Sequence, residues 1–518
     1  MRLWLLNLDV CQLNSLNFGI TVEFKRFHNL TKTRKMTLNK TAKLWVIFLF
    51  LVALVSLVLM TNFYGNTDIY DYSNVAKFFS GDFNARIRTS HSYLYGFIHS
   101  PLVDIMNNFF IFKITSLIFL GLIIYSTYLI SGGNKKALFL SLFSPIIWFM
   151  APWISPIQIA SLLFLWGYYF IKRYDEIPLK TYLFYSGALI GLSWAFWDGI
   201  LFFMPLFAII FLYNKRVSNF ILFFVFTVVG AMPRLIMDQI LFGFAFNGII
   251  RHIMASTALL LYGGVYGDSF VSRYMSLVIL FFIPWFSYIF LKKGVFNRNK
   301  KDISFIIFSL IILFINSQIR LLLLISPIMI ILLSKNIDEK SFKKQLVISI
   351  VLTVIVTIPY VMQINSNIGS IQGQDIGSLI VFGENRDNRV SGEIIFQDLK
   401  KIGTEYSGER FIVGNENDNY ASLASIYWGE DIKEFVSIQD YNLFLSGDSI
   451  ISEKTLCTGN NINERRDFCA TIFLRNSFND KTDYGSINYA LANEDKINLE
   501  GFKFIKKYSS LHLFEKTD

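Results

Sequence analysis

The chain has 518 residues, of which 53% are hydrophobic and only 17% charged, and 53 are phenylalanine. Soluble globular chains carry about 25% charged residues, so this composition, with a mean hydropathy of +0.45, excludes an ordinary soluble protein and points to many membrane-crossing helices. The net charge of +10 does not require nucleic acid, because lysine and arginine gather in the cytoplasmic loops of such proteins.

Residues 1–43 begin weakly apolar and continue as the basic stretch "EFKRFHNLTKTRKMTLNKTAK". They read as a cytoplasmic tail, or as the product of a start placed too early, with Met36 the true first residue. No small-residue cleavage site follows the apolar part. Apolar runs then fall at 44–62, 107–131, 137–152, 154–172, 180–197, 199–213, 217–233, 273–291, 303–316, 319–334 and 343–362. With about 20 residues needed per crossing, these predict about eleven transmembrane helices, the shorter runs tilted or re-entrant.

Orientation follows from the basic loops. "GGNKK", "KRYDEIPLK", "NKR", "KKGVFNRNKKD" and "SKNIDEKSFKK" occupy alternate connections and agree with the basic N-terminal flank. Every cluster fits one topology, with the N-terminus inside the cytoplasm and the C-terminus outside. Three segments are then extracytoplasmic: 63–106, 234–272 and 363–518. The last is rich in Asn, Asp, Glu and Gly and has no span-length apolar run. It predicts a soluble α/β domain with strands at "RFIVG" and "EFVSI", a helix at "YASLASIYW" and a closing hairpin from "FKFI" and "LHLFE". The organisation is thus a tail (1–43), a polytopic α-helical membrane domain (44–362) and a C-terminal extracytoplasmic domain (363–518). Cys457 and Cys469 lie in that domain, as two separate thiols or as a disulfide, while Cys11 lies in the tail.

Charge is nearly absent from the middles of the apolar runs; Lys113 lies close to an outer end. Ion-coupled carriers place ionisable groups at mid-membrane, so the pattern disfavours coupled transport. The charges at outer ends are mixed: Asp68, Asp71, Asp104, Asp198 and Asp238 against Arg234, Arg251, His252, Arg273 and Arg320. Carboxylates and guanidinium groups at one membrane face suit activation of a hydroxyl beside a lipid-borne phosphate.

The stretch "NTDIYDYSNVAKFFSGDF" follows the first apolar run directly. Asp68 and Asp71 have the spacing of an N-cap and an acidic N3 residue. Ile69, Tyr72, Val75, Ala76 and Phe79 then form a helical apolar stripe, so a capped interfacial helix accounts for the segment without chemistry. Span-end arginines act equally as snorkelling anchors, although Arg320 opens an apolar run on the side where positive charge is disfavoured. Asp198 in "AFWDGILFF" reads as a turn-forming Asp-Gly.

Taken together the pattern resembles the polytopic GT-C glycosyltransferases, which use polyprenyl-phosphate-linked sugars and include protein O-mannosyltransferases and aminoarabinose transferases. Their first external loop carries an acidic residue, a Tyr four residues later and a small residue four after that; Asp68, Tyr72 and Ala76 keep this spacing. Ile69 stands where the family pattern has Glu, which leaves the role with either Asp68 or Asp71. "HSYLYGFIHSPLVDI", "WDGILFFMP" and "IRLLLLISPIMIILLS" are similar to later family segments. The Trp-Trp-Asp-Tyr-Gly motif of oligosaccharyltransferases is missing, which favours single-sugar transfer.

The resemblance implies inverting transfer of a sugar from a polyprenyl-phosphate donor to an acceptor hydroxyl, on a lipid, glycan or protein, at the extracytoplasmic face of the cell membrane. Asp68 or Asp71 would be the general base. Arg320, then Arg251 and Arg234, would hold the donor phosphate, and His91, Tyr93, Asp198 and His252 would line the substrate site. Membrane lipids are expected partners and nucleic acid is not. A divalent metal is compatible with the site but not required by the sequence. The competing reading is a lipid-linked glycan flippase or other polytopic transporter.

Overall fold

A computed structural model describes residues 45, 48–60, 68–81, 83, 87–88, 93–102, 108–213, 217–250, 253, 284–285, 288–289, 300–315, 319–366, 398–399, 401–414, 434–438, 441, 445, 477–478, 484–497 and 499–517. The chain divides into two units, residues 1–54 and 55–518, and of the first only residue 45 and the opening turns of the first helix are described. The expected tail, the helix at "YASLASIYW", Cys457, Cys469 and most of the run at 273–291 lie outside the described residues.

Among the described residues the main helices are α1 (Phe48–Met60), α2 (Asp68–Ser80), α3 (Tyr93–His99), α4 (Asn108–Ile130), α5 (Lys135–Leu142), α6 (Pro145–Met150), α7 (Ile157–Glu176), α8 (Lys180–Phe196), α9 (Met204–Tyr213), α10 (Val217–Phe242), α11 (Lys300–Ile315), α12 (Leu322–Asn336) and α13 (Glu339–Ser366). Among the described residues three helices are long and apolar enough to cross a membrane, at Phe110–Ile130, Val217–Phe242 and Glu339–Ile358. Shorter apolar helices lie at Phe48–Met60, Asp198–Ala208 and Leu322–Asn336.

Local chemistry sets the helix ends. Gly132 and Gly133 adopt positive φ and their amides bond back to Leu129 and Tyr128, closing α4. Asn134 then caps α5 by accepting from the Lys136 amide at 2.9 Å. The run at 137–152 is not one span. Ser144–Pro145 divides it, because proline lacks the amide to continue α5 but suits the first position of a new helix. Every residue of the resulting α6 is buried. Ile177, held extended before Pro178, ends α7.

The described residues of the basic loops gather at one end of the bundle. Lys136 donates to the Ile337 carbonyl at 2.7 Å and lies 3.6 Å from Glu339. Lys172 pairs with Asp302 at 2.9 Å and Lys301 with Asp175 at 3.3 Å. Thus "GGNKK" meets "SKNIDEKSFKK", and "KRYDEIPLK" meets "KKD" (300–302).

The crossing of α8 and α10 fixes the register on which the opposite end depends. Both helices run away from the basic end, and glycines bring their backbones together. A Cβ on Gly191 would lie 1.9 Å from the Thr227 carbonyl oxygen, and one on Gly230 would lie 2.1 Å from that of Ala188. Gly187 and Gly191 form the small-xxx-small pattern that permits such approach. Seven residues past Gly191, this register sets Asp198 against Arg234.

Residues 410–516 contain a five-stranded mixed sheet of β2 (Arg410–Val413), β3 (Glu434–Ser437), β5 (Tyr489–Ala492), β6 (Phe502–Lys507) and β7 (His512–Lys516), ordered β3-β2-β5-β7-β6. β2 runs parallel to β3 and β5; β7 runs antiparallel to β5 and β6. The two-residue period of the strands sends Phe411, Val413, Leu491 and Leu513 into one apolar layer, and Ile412, Ala490 and Phe514 into another. Both faces are therefore covered. The expected strands and hairpin are present; β5, the short strand "YALA", is an addition. A separate pair joins β1 (Ile87–Arg88), between α2 and α3, to β4 (Ser477–Phe478).

Candidate active site

At the end of the bundle opposite the basic loops, charged side chains from two elements meet a tyrosine from a third. Asp198 opens a 3-10 helix (Asp198–Phe203) that follows α8, and its Oδ2 accepts from Arg234 Nη2 at 2.8 Å. Arg234 Nε lies 3.7 Å from Asp238 Oδ1, one helical turn on in α10. Asp238 also accepts from the Tyr93 hydroxyl at 2.7 Å and from the Gly248 amide at 2.8 Å. The Arg234 guanidinium sits 4.6 Å from the centre of the Tyr93 ring. Tyr93, Asp198, Arg234 and Asp238 are each at most 4% exposed.

A lone charge buried this deeply is costly, and only close partners with good geometry offset the desolvation. Here one guanidinium lies between two carboxylates, and a phenol and an amide supply hydrogen bonds. Burial, opposed by Arg234 and reinforced by Asp238, pushes the Tyr93 phenol well above its ordinary range. It remains a donor. Asp238 consequently ties the segment between α1 and α4, through Tyr93, to the segment that follows α10, through Gly248.

Arg320 lies beside this network. Its guanidinium sits 5.9 Å from the centre of the Trp197 ring, within cation–π range, and the side chain is half-buried. It occupies the 3-10 turn (Ile319–Leu321) that leads into α12.

Helix α2 approaches from the segment between α1 and α4. Asp68 opens the helix, but its side chain lies outside the described residues; Asp71, one turn on, is buried. Tyr72 packs edge-on against Tyr95 of α3 at 5.0 Å. Ala76 is buried where α2 crosses α3, and a Cβ on Gly96 would meet Val75 and the Ala76 amide. The small residue of the family-like spacing thus permits the helix crossing. Val75, Ile87, Tyr93 and Leu241 form a shared apolar cluster, which seats both helices of that segment on the end of α10.

Next to this crossing, His99 contacts the Tyr95 carbonyl through Nδ1 at 2.5 Å and packs on Phe112 at 4.0 Å. Burial holds its pKa down to about 4, against the opposing effect of that carbonyl. Lys113 is also buried and donates to the Val58 carbonyl at 2.7 Å.

Of the residues expected at the site, the structure brings Tyr93, Asp198, Arg234 and Arg320 into one neighbourhood and places Asp71 on the adjoining helix pair. His91, Arg251 and His252 lie outside the described residues. Asp238 was grouped with the outer-end charges but given no role, and Trp197 was not expected as a site residue; the i,i+4 spacing of Asp238 from Arg234 is the signal that marks it. Among the described residues, no three or more His, Cys, Asp or Glu gather as metal ligands.

Neither family models nor curated proteins give a match to the sequence. Solved structures do. ArnT from Cupriavidus metallidurans bound to undecaprenyl phosphate superposes with a TM-score of 0.60 at 11% identity, covering 92% of this chain and 98% of that one. ArnT in the apo state gives 0.55 at 12% identity with the same coverage. The chain has the ArnT fold. That fold agrees with the architecture expected from the sequence resemblance, and the likeness extends over nearly the whole chain.

Proposed function

We propose that this protein is a membrane glycosyltransferase that moves a sugar from a polyprenyl-phosphate donor to an acceptor hydroxyl at the end of the bundle opposite its basic loops. By the distribution of lysine and arginine that end is extracytoplasmic, and residues 363–518 form a soluble α/β domain on the same side. The observation that carries the reading is the gathering of Asp198, Arg234, Asp238, Tyr93 and Arg320 there. The ArnT fold, seen in a protein bound to undecaprenyl phosphate, supports it.

In this reading Asp68 or Asp71 takes the proton of the acceptor hydroxyl. The oxygen attacks the anomeric carbon, the bond from that carbon to the phosphate oxygen breaks, and polyprenyl phosphate leaves with inversion. A positioned base contributes about 10²–10⁴ in rate. A preorganised cation must meet the charge that develops on the leaving phosphate. Arg320, half-buried over Trp197, suits that task. Arg234 suits it less, because Asp198 and Asp238 already enclose it; its role is to hold the loops in place, with Tyr93 and Asp238.

Incubating membranes with a panel of labelled polyprenyl-phosphate sugars tests the reading. Transfer from one donor is expected, with a loss of about 10²-fold or more in Asp68→Asn or Asp71→Asn. Full activity in both variants would remove the base assignment. Failure to transfer from any donor, with movement of lipid-linked glycan across vesicles, would favour a transporter.

A further inference from the structure

We propose that Trp197, Asp198 and Gly199 act as one positioning device, in which the indole is the platform that sets the Arg320 guanidinium for the donor phosphate; this rests on the donor reading above. The device begins where α8 stops. Trp197 is extended, with φ −153° and ψ 117°, and directs the chain into the 3-10 helix. The next residue, Asp198, is locked by the 2.8 Å bond to Arg234, so the turn is pinned from the α10 side.

Gly199 explains how the indole keeps its place. A Cβ on Gly199 would lie 2.4 Å from Cη2 and Cζ2 of Trp197 and 2.7 Å from Cζ3. The outer edge of the indole therefore folds over the glycine. Gly199 is not among the glycines with positive φ, so the backbone does not demand glycine here; the ring does. An Asp-Gly pair that reads as a plain turn is then a space requirement for Trp197, whose ring lies 5.9 Å from the Arg320 guanidinium. Alanine at 199 expels the end of a side chain rather than distorting the backbone, so the variant is expected to fold.

The test is binding of undecaprenyl phosphate to the purified full-length chain, read from its stabilisation against heat, which rises with ligand over Kd. Trp197→Ala, Gly199→Ala and Arg320→Ala are each expected to raise Kd about tenfold. Trp197→Phe, which keeps a ring, should stay within about threefold of wild type. The double variant Trp197→Ala/Gly199→Ala should bind no more weakly than either single one, because both remove the same platform. Wild-type affinity in Gly199→Ala and Trp197→Ala beside a loss in Arg320→Ala would overturn the proposal alone. Unchanged affinity in Arg320→Ala, or no stabilisation of the wild-type chain, would overturn the donor reading and the proposal with it.

Discussion

Arg234, on α10, and Asp198, just past the end of α8, meet 2.8 Å apart with side chains only 1% and 4% exposed, where glycines several residues away bring the two helices together. The pair is one half of a three-charge network, because Asp238 approaches Arg234 from the other side at 3.7 Å. The two carboxylates share one cation, so the three members are not equivalent.

Removing the cation leaves two buried carboxylates uncompensated, whereas removing Asp198 leaves a one-to-one pair. Breaking a buried pair from one side costs about 3–5 kcal/mol. Arg234→Ala should fall in or above that range and Asp198→Ala below it, as measured by thermal unfolding of the detergent-solubilised protein. Equal losses would argue against the shared-cation arrangement.

The crossing of α8 and α10 predicts a contrast between glycines. Gly191→Ala would drive a methyl into the Thr227 carbonyl, where no flexible side chain can give way. Overpacking of this kind costs about 1–3 kcal/mol, and the shift in helix register should also weaken the Asp198–Arg234 bond. Gly121 in α4 has open space where its Cβ would go and is exposed. Gly121→Ala should therefore be neutral or stabilise by about 0.5–1 kcal/mol. Melting temperatures of the two variants decide the matter.

Much of this was legible in the sequence because it depends on local chemistry. The lysine-rich loops identified one end of the bundle, and Lys136, Lys172 and Lys301 meet their partners there. Asp198, Arg234 and Arg320 were recognisable as charges at span ends. The pairing of Asp198 with Arg234 was not, because it depends on the packing register of α8 against α10. Tyr93 was expected to face substrate; its burial under Arg234 comes from the seating of α3 on α10, which no local pattern encodes. The division of the run at 137–152 was signalled by Pro145, but its hydropathy is continuous across the break. β5 was missed because four residues, "YALA", are too few to show a clear alternation.

Asp398 organises the hairpin of the C-terminal sheet. It is fully buried and accepts from the amides of Ser509, Ser510 and Leu511 at 3.2, 2.6 and 3.1 Å, and from the Ser510 hydroxyl at 2.9 Å. Hydrogen bonds to a charged acceptor are worth about 1.5–3 kcal/mol each. Asp398→Ala is expected to cost about 3 kcal/mol and to raise amide exchange across 508–513 before the rest of the sheet. Uniform exchange in variant and wild type would show that the turn stands without it.

His99 gives the fold a pH dependence whose sign is fixed by its burial. The imidazole is 1% exposed, and its Nε2 has no hydrogen-bond partner among the described residues. In the folded chain it protonates only near pH 4, whereas an unfolded histidine does so near 6.5. Between those values the unfolded state binds more protons, so stability falls as pH falls. Each pH unit in that window removes about 1.4 kcal/mol, so the full loss between pH 6.5 and 4 is about 3 kcal/mol. Above pH 6.5 both states are neutral and the contribution is flat. His99→Gln keeps a donor for the Tyr95 carbonyl but does not titrate. Its unfolding free energy, measured beside the wild type from about pH 7.5 to about pH 4.5, should lose less on acidification by most of that amount. Parallel curves would mean that the imidazole protonates as readily folded as unfolded, and that its contact with Tyr95 and Phe112 does not exclude the charged form.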